Sequence, residues 1–194
     1  MRKAEVKRAT RETRIELSLN LDGTGQTRLA TGIGFFDHML DALCRFGMLD
    51  LDVHCDGDLN VDAHHTVEDV GLCLGQAIGK AFGDKRGIRR SAHAFIPMDE
   101  ALAFVAIDLS GRPFLLLETP LPTEDVGAMP AQLFEEFFRA VCQNAGLTCH
   151  MHITGRNAHH MIEALCKAFG RAIDDAKRID ERQADMIPST KGVL

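Results

Sequence analysis

Apolar and polar residues alternate along two stretches of the chain, at positions 13–21 and 101–109. Such alternation indicates strands with one buried face, because successive side chains of a strand point to opposite sides of a sheet. Asp22-Gly23 and Ser110-Gly111 follow these stretches and are typical of turns. Shorter apolar stretches at 49–55 and 147–153 predict further strands, so the predicted strands fall into two similar sets.

Helical spacing of apolar residues also occurs in both halves. It predicts shorter helices at about 35–46 and 131–145 and longer ones at about 64–82 and 159–177. In the longer helices apolar residues recur near the 3.6-residue period: Val67, Val70, Leu74 and Ile78, then Ile162, Leu165, Phe169 and Ile173. Asp62 and Asn157 lie just ahead of these helices, where their side chains can accept hydrogen bonds from the first N–H groups.

The chain contains an internal duplication. Arg11-Glu12 corresponds to Asp99-Glu100 at an offset of 88 residues, and Phe36-Asp37-His38 corresponds to Phe134-Glu135-Glu136 at an offset of 98. His-His-x-x-Glu occurs at 64–68 and at 159–163, an offset of 95. Because the offset falls from 98 to 95, a connection in the second half should be three residues shorter than its equivalent in the first. We predict an α+β architecture of two units, 1–90 and 91–194, each a mainly antiparallel sheet with two helices, within one compact catalytic domain. A basic segment, 83–90, connects them.

Composition and charge narrow the class of protein. The chain has 194 residues, of which 45% are apolar and 26% charged, as is ordinary for a globular enzyme. Its formal charge of −6 argues against a nucleic-acid partner. It has neither an apolar leader nor an apolar run long enough to span a membrane, and its six cysteines form no C-x-x-C pair. We expect a cytoplasmic protein with reduced, structural thiols.

The repeated His-His-x-x-Glu sequence predicts metal binding. Residues i and i+4 of a helix share a face, so His64 and Glu68 can bind one ion, while His65 points about 100° away. The same holds in the second half, which suggests two sites that each combine one His-Glu pair with the spare histidine of the other cluster. Imidazole and carboxylate ligands without thiolate favour manganese, iron or cobalt over a cysteine-rich zinc site, and manganese is our first choice.

Further motifs make the chain resemble a known family, the imidazoleglycerol-phosphate dehydratases of histidine biosynthesis. The resemblance covers essentially the whole length. It includes Arg11-Glu12-Thr13, Asn20-Leu21-Asp22-Gly23-Thr24-Gly25, Phe36-Asp37-His38-Met39-Leu40, Asp62-Ala63-His64-His65-Thr66-Val67-Glu68-Asp69, Gly83-Asp84-Lys85-Arg86-Gly87-Ile88, Met98-Asp99-Glu100, Ser110-Gly111-Arg112-Pro113, Asn157-Ala158-His159-His160 and Pro188-Ser189-Thr190-Lys191-Gly192.

The resemblance implies the reaction and the assembly. It implies dehydration of D-erythro-imidazole-glycerol phosphate to imidazole-acetol phosphate, with two manganese ions per active site. The implied fold is a duplicated ribosomal-protein-S5-domain-2-like unit, and the implied assembly is a homo-oligomer of cubic symmetry, a 24-mer with sites between subunits. Two metals on the imidazole nitrogens would stabilise an imidazolate that expels the C3 hydroxyl through a diazafulvene-like intermediate, after which a carboxylate removes the C2 proton.

The resemblance also assigns roles to residues. Glu12 and Glu163 are the acid–base candidates. The metal ligands would be His38, His64, His65, Glu68, Glu136, His159, His160 and Glu163. The phosphate would be bound by Arg89 or Arg90 together with Arg112, Lys167, Ser189 and Lys191. Glu136 departs from the family pattern, which commonly has histidine there, so it is either an oxygen ligand or a solvated glutamate.

Two other functions remain open on the sequence. A dinuclear metallohydrolase could use the same ligands to release inorganic phosphate. A metal-storing cage could also bind ions through His and Glu on helices, although such cages are all-helical and this chain has strands. The remaining histidines, His54, His93, His150 and His152, lack a repeated carboxylate partner, and we expect them to be structural.

Overall fold

The structure is a computed structural model and describes residues 2–194. In this range the chain forms, in order, β1 (Lys3–Ala9), β2 (Thr13–Asn20), β3 (Thr27–Ala30), α1 (Gly34–Gly47), β4 (Asp50–Gly57), α2 (His64–Phe82), β5 (Ser91–Met98), β6 (Ala101–Asp108), β7 (Phe114–Leu117), β8 (Asp125–Val126), β9 (Met129–Pro130), α3 (Leu133–Ala145), β10 (Thr148–Thr154) and α4 (Ala158–Lys177). A turn of 3₁₀ helix at Glu181–Gln183 precedes the C-terminal segment.

The two halves form sheets of the same topology. The first has the order β1-β2-β4-β3 and the second β5-β6-β10-β7, with the fourth strand parallel to its neighbour and the other pairs antiparallel. Even the register repeats: Leu17 lies opposite Val53, and Val105 lies opposite Met151. The predicted duplicated α+β fold is therefore confirmed.

The helices join the halves instead of staying within them. α2 lies on β1 and β2, and α4 lies on β5 and β6, but α2 also packs against α3, and α1 packs against α4. Both helix pairs use the same close approach: a Cβ on Gly75 would lie 2.6 Å from the carbonyl oxygen of Val141, and one on Gly170 would overlap the carbonyl of Leu43. One hydrophobic cluster results, and its largest buried side chains are Phe36, Phe134, Phe137, Phe138 and Phe169.

The predicted helices are confirmed, and so is the Asn157 cap of α4; at α2 the N-cap residue is Ala63, and Asp62 binds the first N–H group from the position before it. The observed helices begin and end within two residues of the predicted bounds. Asn157 accepts hydrogen bonds from the backbone N–H groups of His159 (2.9 Å) and His160 (3.3 Å), and Asp62 accepts one from that of His64 (2.8 Å). These caps fix the first turns of α4 and α2, where the His-His pairs lie.

The outer strands β1, β3, β5 and β7 were not predicted. They are the edge strands of the two sheets, and their side chains are mostly exposed or half-buried. None of them therefore shows the regular alternation of buried and exposed residues found in β2 and β6. The short hairpin β8–β9 was missed as well. The expected shortening is found: six residues separate β4 from α2, and three separate β10 from α4.

Two expectations from composition can be compared with the described part of the chain. All six cysteines are free and buried, as expected for structural thiols. No helix within residues 2–194 is long and apolar enough to cross a membrane.

Candidate metal centre

The N-terminal two turns of α1 and α4 bring three predicted ligands together. Glu163 Oε2 lies 3.0 Å from His159 Nε2 and 3.4 Å from His38 Nε2. One donor atom from each of the three side chains falls within 4.8 Å of the others, which is the spacing of atoms that share an ion. Among residues 2–194, this is the one group of three or more metal-binding side chains that is so closely gathered.

Lys167 holds the other side of the Glu163 carboxylate. Its Nζ lies 2.6 Å from Glu163 Oε1, one helical turn along α4. Burial by itself favours the neutral acid, but the hydrogen bond and charge of Lys167, with the nearby His159 and His38, outweigh it and lower the pKa of Glu163. Glu163 is thus ionised near neutral pH, as a metal ligand must be.

The equivalent ligands of the first half are less closely gathered. His64 Nε2 lies 3.5 Å from Glu68 Oε2 on the same face of α2, as predicted from their spacing. Glu136 lies in the first turn of α3, at the position that corresponds to His38. Its carboxylate oxygen Oε2 lies 3.8 Å from Nε of Arg139, with which it forms an ion pair. The structure therefore leaves Glu136 outside the gathered group, and its role as a ligand stays a prediction.

The second histidine of each pair points to other carboxylates. His65 Nδ1 lies 3.0 Å from Asp58 Oδ2, and its Nε2 lies 3.8 Å from Glu12 Oε1. His160 Nδ1 lies 2.8 Å from Glu100 Oε2, and its Nε2 lies 3.7 Å from Asp99 Oδ2. As helix geometry predicts, neither histidine joins the His-Glu pair beside it in sequence.

These contacts shift the pKa values of the groups involved. The hydrogen bond with Asp58 raises the pKa of His65, and that with Glu100 raises the pKa of His160. His160 and the backbone N–H groups of Asn157 and Arg156 lower the pKa of Glu100 to about 2. Glu100 is consequently a carboxylate at any pH at which the enzyme would work, and it can only accept hydrogen bonds.

The predicted phosphate-binding residues lie in two places. Lys167 lies beside Glu163, whereas the C-terminal segment forms a groove with Arg89, Arg90 and Ser189. Arg90 is already engaged there, because its guanidinium pairs with both oxygens of Asp108 (2.7 and 3.0 Å) and donates to the carbonyl of Pro188 (2.8 Å).

Three other phosphate candidates are more open. Arg89 makes no side-chain ion pair within the described residues and is exposed, and Arg112 and Lys191 are exposed as well. Within residues 2–194 no hydrogen bond or ion pair joins the groove to the histidine cluster.

Sequence reasoning missed Asp58 and Glu100 as functional candidates. Glu100 had a visible signal, since it corresponds to Glu12 across the duplication. Asp58 had no such signal, because it lies in the loop ahead of α2, which is three residues longer than the equivalent loop of the second half.

The residues fit a metal ion of the first transition series. The gathered group offers two imidazole nitrogens and an ionised carboxylate, with no thiolate nearby, and this donor set suits manganese, iron or cobalt. Three protein donors leave the coordination of such an ion incomplete, so there is room for substrate and for a further histidine. The fold and the site thus define a class of protein, a duplicated α+β enzyme with a His-Glu metal centre on its helices.

Comparison with known proteins identifies the family. Residues 31–173 match the family model of imidazoleglycerol-phosphate dehydratase. The chain is 57% identical over its whole length to the imidazoleglycerol-phosphate dehydratase of Acetivibrio thermocellus, 99% of which is covered, and 53% identical to that of Methylobacillus flagellatus, with 98% covered.

Solved structures agree. The dehydratase of Staphylococcus aureus has a TM-score of 0.83 at 38% identity, over 92% of this chain and 99% of that one. The Pyrococcus furiosus enzyme has a TM-score of 0.83 at 30% identity, over 97% and 100%. The chain belongs to the imidazoleglycerol-phosphate dehydratase family, and it is a hydro-lyase of histidine biosynthesis.

Proposed function

We propose that this chain dehydrates D-erythro-imidazole-glycerol phosphate to imidazole-acetol phosphate, using two manganese ions per active site, in a cytoplasmic homo-oligomer whose sites lie between subunits. The observation that carries the proposal is the gathered group of His38, His159 and Glu163. It supplies three donors on rigid helices, in a chain that belongs to the dehydratase family.

The second metal would use the equivalent donors of the first half. His64 and Glu68 share a face of α2, and Glu136 or a water molecule would add to them. When bound, the metals supply Lewis acidity to the imidazole ring of the substrate. To bind a metal, the carboxylate ligands must be ionised and the imidazole ligands neutral. Lys167 favours the ionised form of Glu163.

Glu12 is the freer of the two acid–base candidates. Its side chain is 53% exposed and approaches His65 Nε2 at 3.8 Å without a hydrogen bond, so its carboxylate can accept a proton from substrate C2. Both oxygens of Glu163 are engaged, by the histidines and by Lys167. We therefore assign the proton transfer to Glu12 and metal binding to Glu163, whose further acid–base role would require release of Lys167.

The phosphate would be bound by cations from both places described above. Lys167 would act beside the metals, and Arg89, Arg112, Ser189 and Lys191 would act from the groove and the C-terminal segment. Arg90 fits a supporting role, because Asp108 and Pro188 occupy its guanidinium.

Assembly from several chains would explain why the His-Glu group, the second histidines and the groove are separate within one chain. His65 and His160 have their Nε2 atoms outside the His-Glu group of their own chain, and no hydrogen bond or ion pair within residues 2–194 joins the groove to that group. A neighbouring subunit would supply the missing histidine to each metal and the groove to each substrate, and a 24-mer would close these contacts.

The test is an assay of chelator-treated protein with imidazole-glycerol phosphate, to which manganese, zinc or magnesium is restored in turn. We expect manganese to restore formation of imidazole-acetol phosphate and magnesium to fail. Release of inorganic phosphate would favour the metallohydrolase instead. Metal binding without any turnover would favour a storage role, and full activity without metal would contradict the proposed centre.

A further inference from the structure

The two halves hold the second histidine of each pair with carboxylates from different positions. Glu12 and Glu100 are equivalent in the duplication and lie in equivalent turns, between β1 and β2 and between β5 and β6. Yet Glu100 contacts Nδ1 of its histidine, whereas Glu12 lies on the Nε2 side. In the first half Asp58 takes the Nδ1 position.

The loop ahead of the helix explains this difference. It has six residues between β4 and α2, against three between β10 and α4, and Asp58 is its first residue. The longer loop brings Asp58 next to His65 and so displaces Glu12 from the contact that Glu100 makes. The shorter loop gives Glu100 two more bonds, since its Oε1 accepts from the backbone N–H groups of Arg156 (3.1 Å) and Asn157 (2.8 Å).

Both contacts fix which ring nitrogen carries hydrogen. An ionised carboxylate can only accept, so the Nδ1 atoms of His65 and His160 must donate to Asp58 and Glu100. The carboxylates on the other side, Glu12 at 3.8 Å and Asp99 at 3.7 Å, are beyond hydrogen-bond distance of Nε2. In the neutral ring Nε2 then keeps its lone pair, which a metal ion requires.

We propose that Asp58 and Glu100 are positioning residues that keep Nε2 of His65 and His160 available to a metal ion, and that Asp58 thereby leaves Glu12 free for acid–base chemistry. This inference rests on the proposed metal-dependent function. It adds a division of labour between two duplicated glutamates, of which one orients a ligand and the other acts on the substrate.

Amide variants distinguish a carboxylate that orients the histidine ring from one that only stabilises the local structure. In Glu100→Gln the amide oxygen must stay with the two backbone N–H donors, so the amide NH₂ faces Nδ1 and forces the ring hydrogen onto Nε2. In Asp58→Asn no other partner binds the side chain within the described residues, so the amide oxygen can still accept from Nδ1. A merely structural role would make both substitutions mild. Orientation makes only Glu100→Gln severe.

The first experiment measures ring tautomers and metal affinity together. In chelator-treated protein labelled with ¹⁵N-histidine, we expect Nδ1 of His65 and His160 to carry the hydrogen in the wild type and in Asp58→Asn, and Nε2 of His160 to carry it in Glu100→Gln. Manganese affinity, followed by electron paramagnetic resonance, should fall by roughly 10–100-fold in Glu100→Gln, as for loss of other residues that orient a ligand. Asp58→Asn should stay near the wild type.

Control variants keep the result interpretable. Glu118→Gln changes a carboxylate 3.6 Å from Nδ1 of His152, which is not a predicted ligand, and it should leave manganese affinity unchanged. If Glu100→Gln does not fold, Asp58→Ala against Asp58→Asn makes the same comparison, and only the alanine variant should lose affinity. Unchanged tautomers and affinity in Glu100→Gln, or equal affinities in Asp58→Ala and the wild type, would overturn the inference.

The tautomer measurement needs no metal, so it also separates this inference from the proposed function. If the wild type bound no manganese, the proposed function would be refuted, but the tautomers of His65 and His160 could still be measured. A wild type with Nε2–H on both rings would refute the inference even if manganese restored activity.

A second experiment tests the freedom of Glu12. Glu12→Gln should lower kcat by roughly 10²-fold or more, the scale of a general acid–base residue, with unchanged manganese affinity. An affinity loss like that of Glu100→Gln, or an unchanged kcat, would contradict the division of labour.

Discussion

The backbone of Gly170 in α4 lies directly against the carbonyl of Leu43 in α1, with no room for a side chain between them. Gly75 and Val141 make the equivalent contact between α2 and α3. The glycine contact sets the separation of α1 and α4, and the N-terminal two turns of these helices carry His38 and the pair His159 and Glu163. Helix packing in the core therefore determines the spacing of these three proposed ligands.

Gly170→Ala should reverse the usual effect of alanine in a helix. Alanine normally stabilises a helix interior by about 1 kcal/mol relative to glycine. Here the added methyl group would push α1 from α4, and overpacking of this kind costs about 1–3 kcal/mol. Urea unfolding should report that loss, and manganese should bind more weakly. Gly79→Ala, where a Cβ would make ordinary contacts at 3.4 Å and beyond, should be neutral or stabilising. A stabilised Gly170→Ala would refute the contact.

Arg90→Lys should loosen the C-terminal segment. Lysine cannot pair with both oxygens of Asp108 while it also binds the carbonyl of Pro188. Under the proposed function, KM should rise several-fold with little change in kcat, and limited proteolysis should cut the segment after residue 187 faster. Arg14→Lys, an exposed substitution on β2, serves as the matched control. Slower turnover at unchanged KM would argue that Arg90 contributes to the chemistry itself.

Acid should remove one local stabilising contact in the 3₁₀ turn. The side chain of Arg182, and then its backbone N–H, lower the pKa of Asp180 from 3.8 to about 2. Because the folded pKa is depressed, the contact stabilises the fold fully above about pH 3.8 and is lost as pH falls towards 2. The difference in urea midpoint between wild type and Asp180→Asn should be constant near neutrality and shrink over that range.

Asp185→Asn gives the comparison for that experiment, since the Asp185 side chain makes no ion pair or hydrogen bond within residues 2–194. A wild-type advantage over Asp180→Asn that is as large at pH 2 as at neutral pH would contradict the assignment.

The sequence predicted the central elements because their patterns are strong. β2, β6 and the long helices α2 and α4 bury one face against the core, so their apolar residues repeat clearly. The edge strands β1 and β5 alternate less, because their second face and outer edge are exposed to solvent. Their positions follow from antiparallel pairing with β2 and β6, which come directly after them in the sequence.

The sequence indicated His38, His159 and Glu163 as candidate ligands, and the structure brings these three together, but the sequence did not indicate the carboxylates that contact the second histidines. Helix geometry alone separated His64 from His65, and the distances bear this out. The Nδ1 partners were not predictable, since Asp58 and Glu100 come from unlike loops and are brought to their histidines by tertiary structure. Nor did the sequence indicate that Arg90 is already paired while Arg89 is not.

The most direct test of the account is complementation between two inactive variants. Glu163→Gln disables the group that contains His38 and His159, and His65→Ala removes a histidine that we assign to a neighbour's metal. The two variants are mixed in equal amounts as chelator-treated subunits and reassembled with manganese. Half of the chains then carry an intact group and the other half an intact His65, so random assembly should bring the two together at about a quarter of the interfaces.

The mixture should therefore recover about a quarter of wild-type dehydratase activity. A mixture of Glu163→Gln with His38→Ala should recover less, because both changes lie in the group that one chain contributes to a site. If the first mixture remains as inactive as its parents while wild-type subunits reassemble with full activity, the proposed exchange of histidines between chains is wrong.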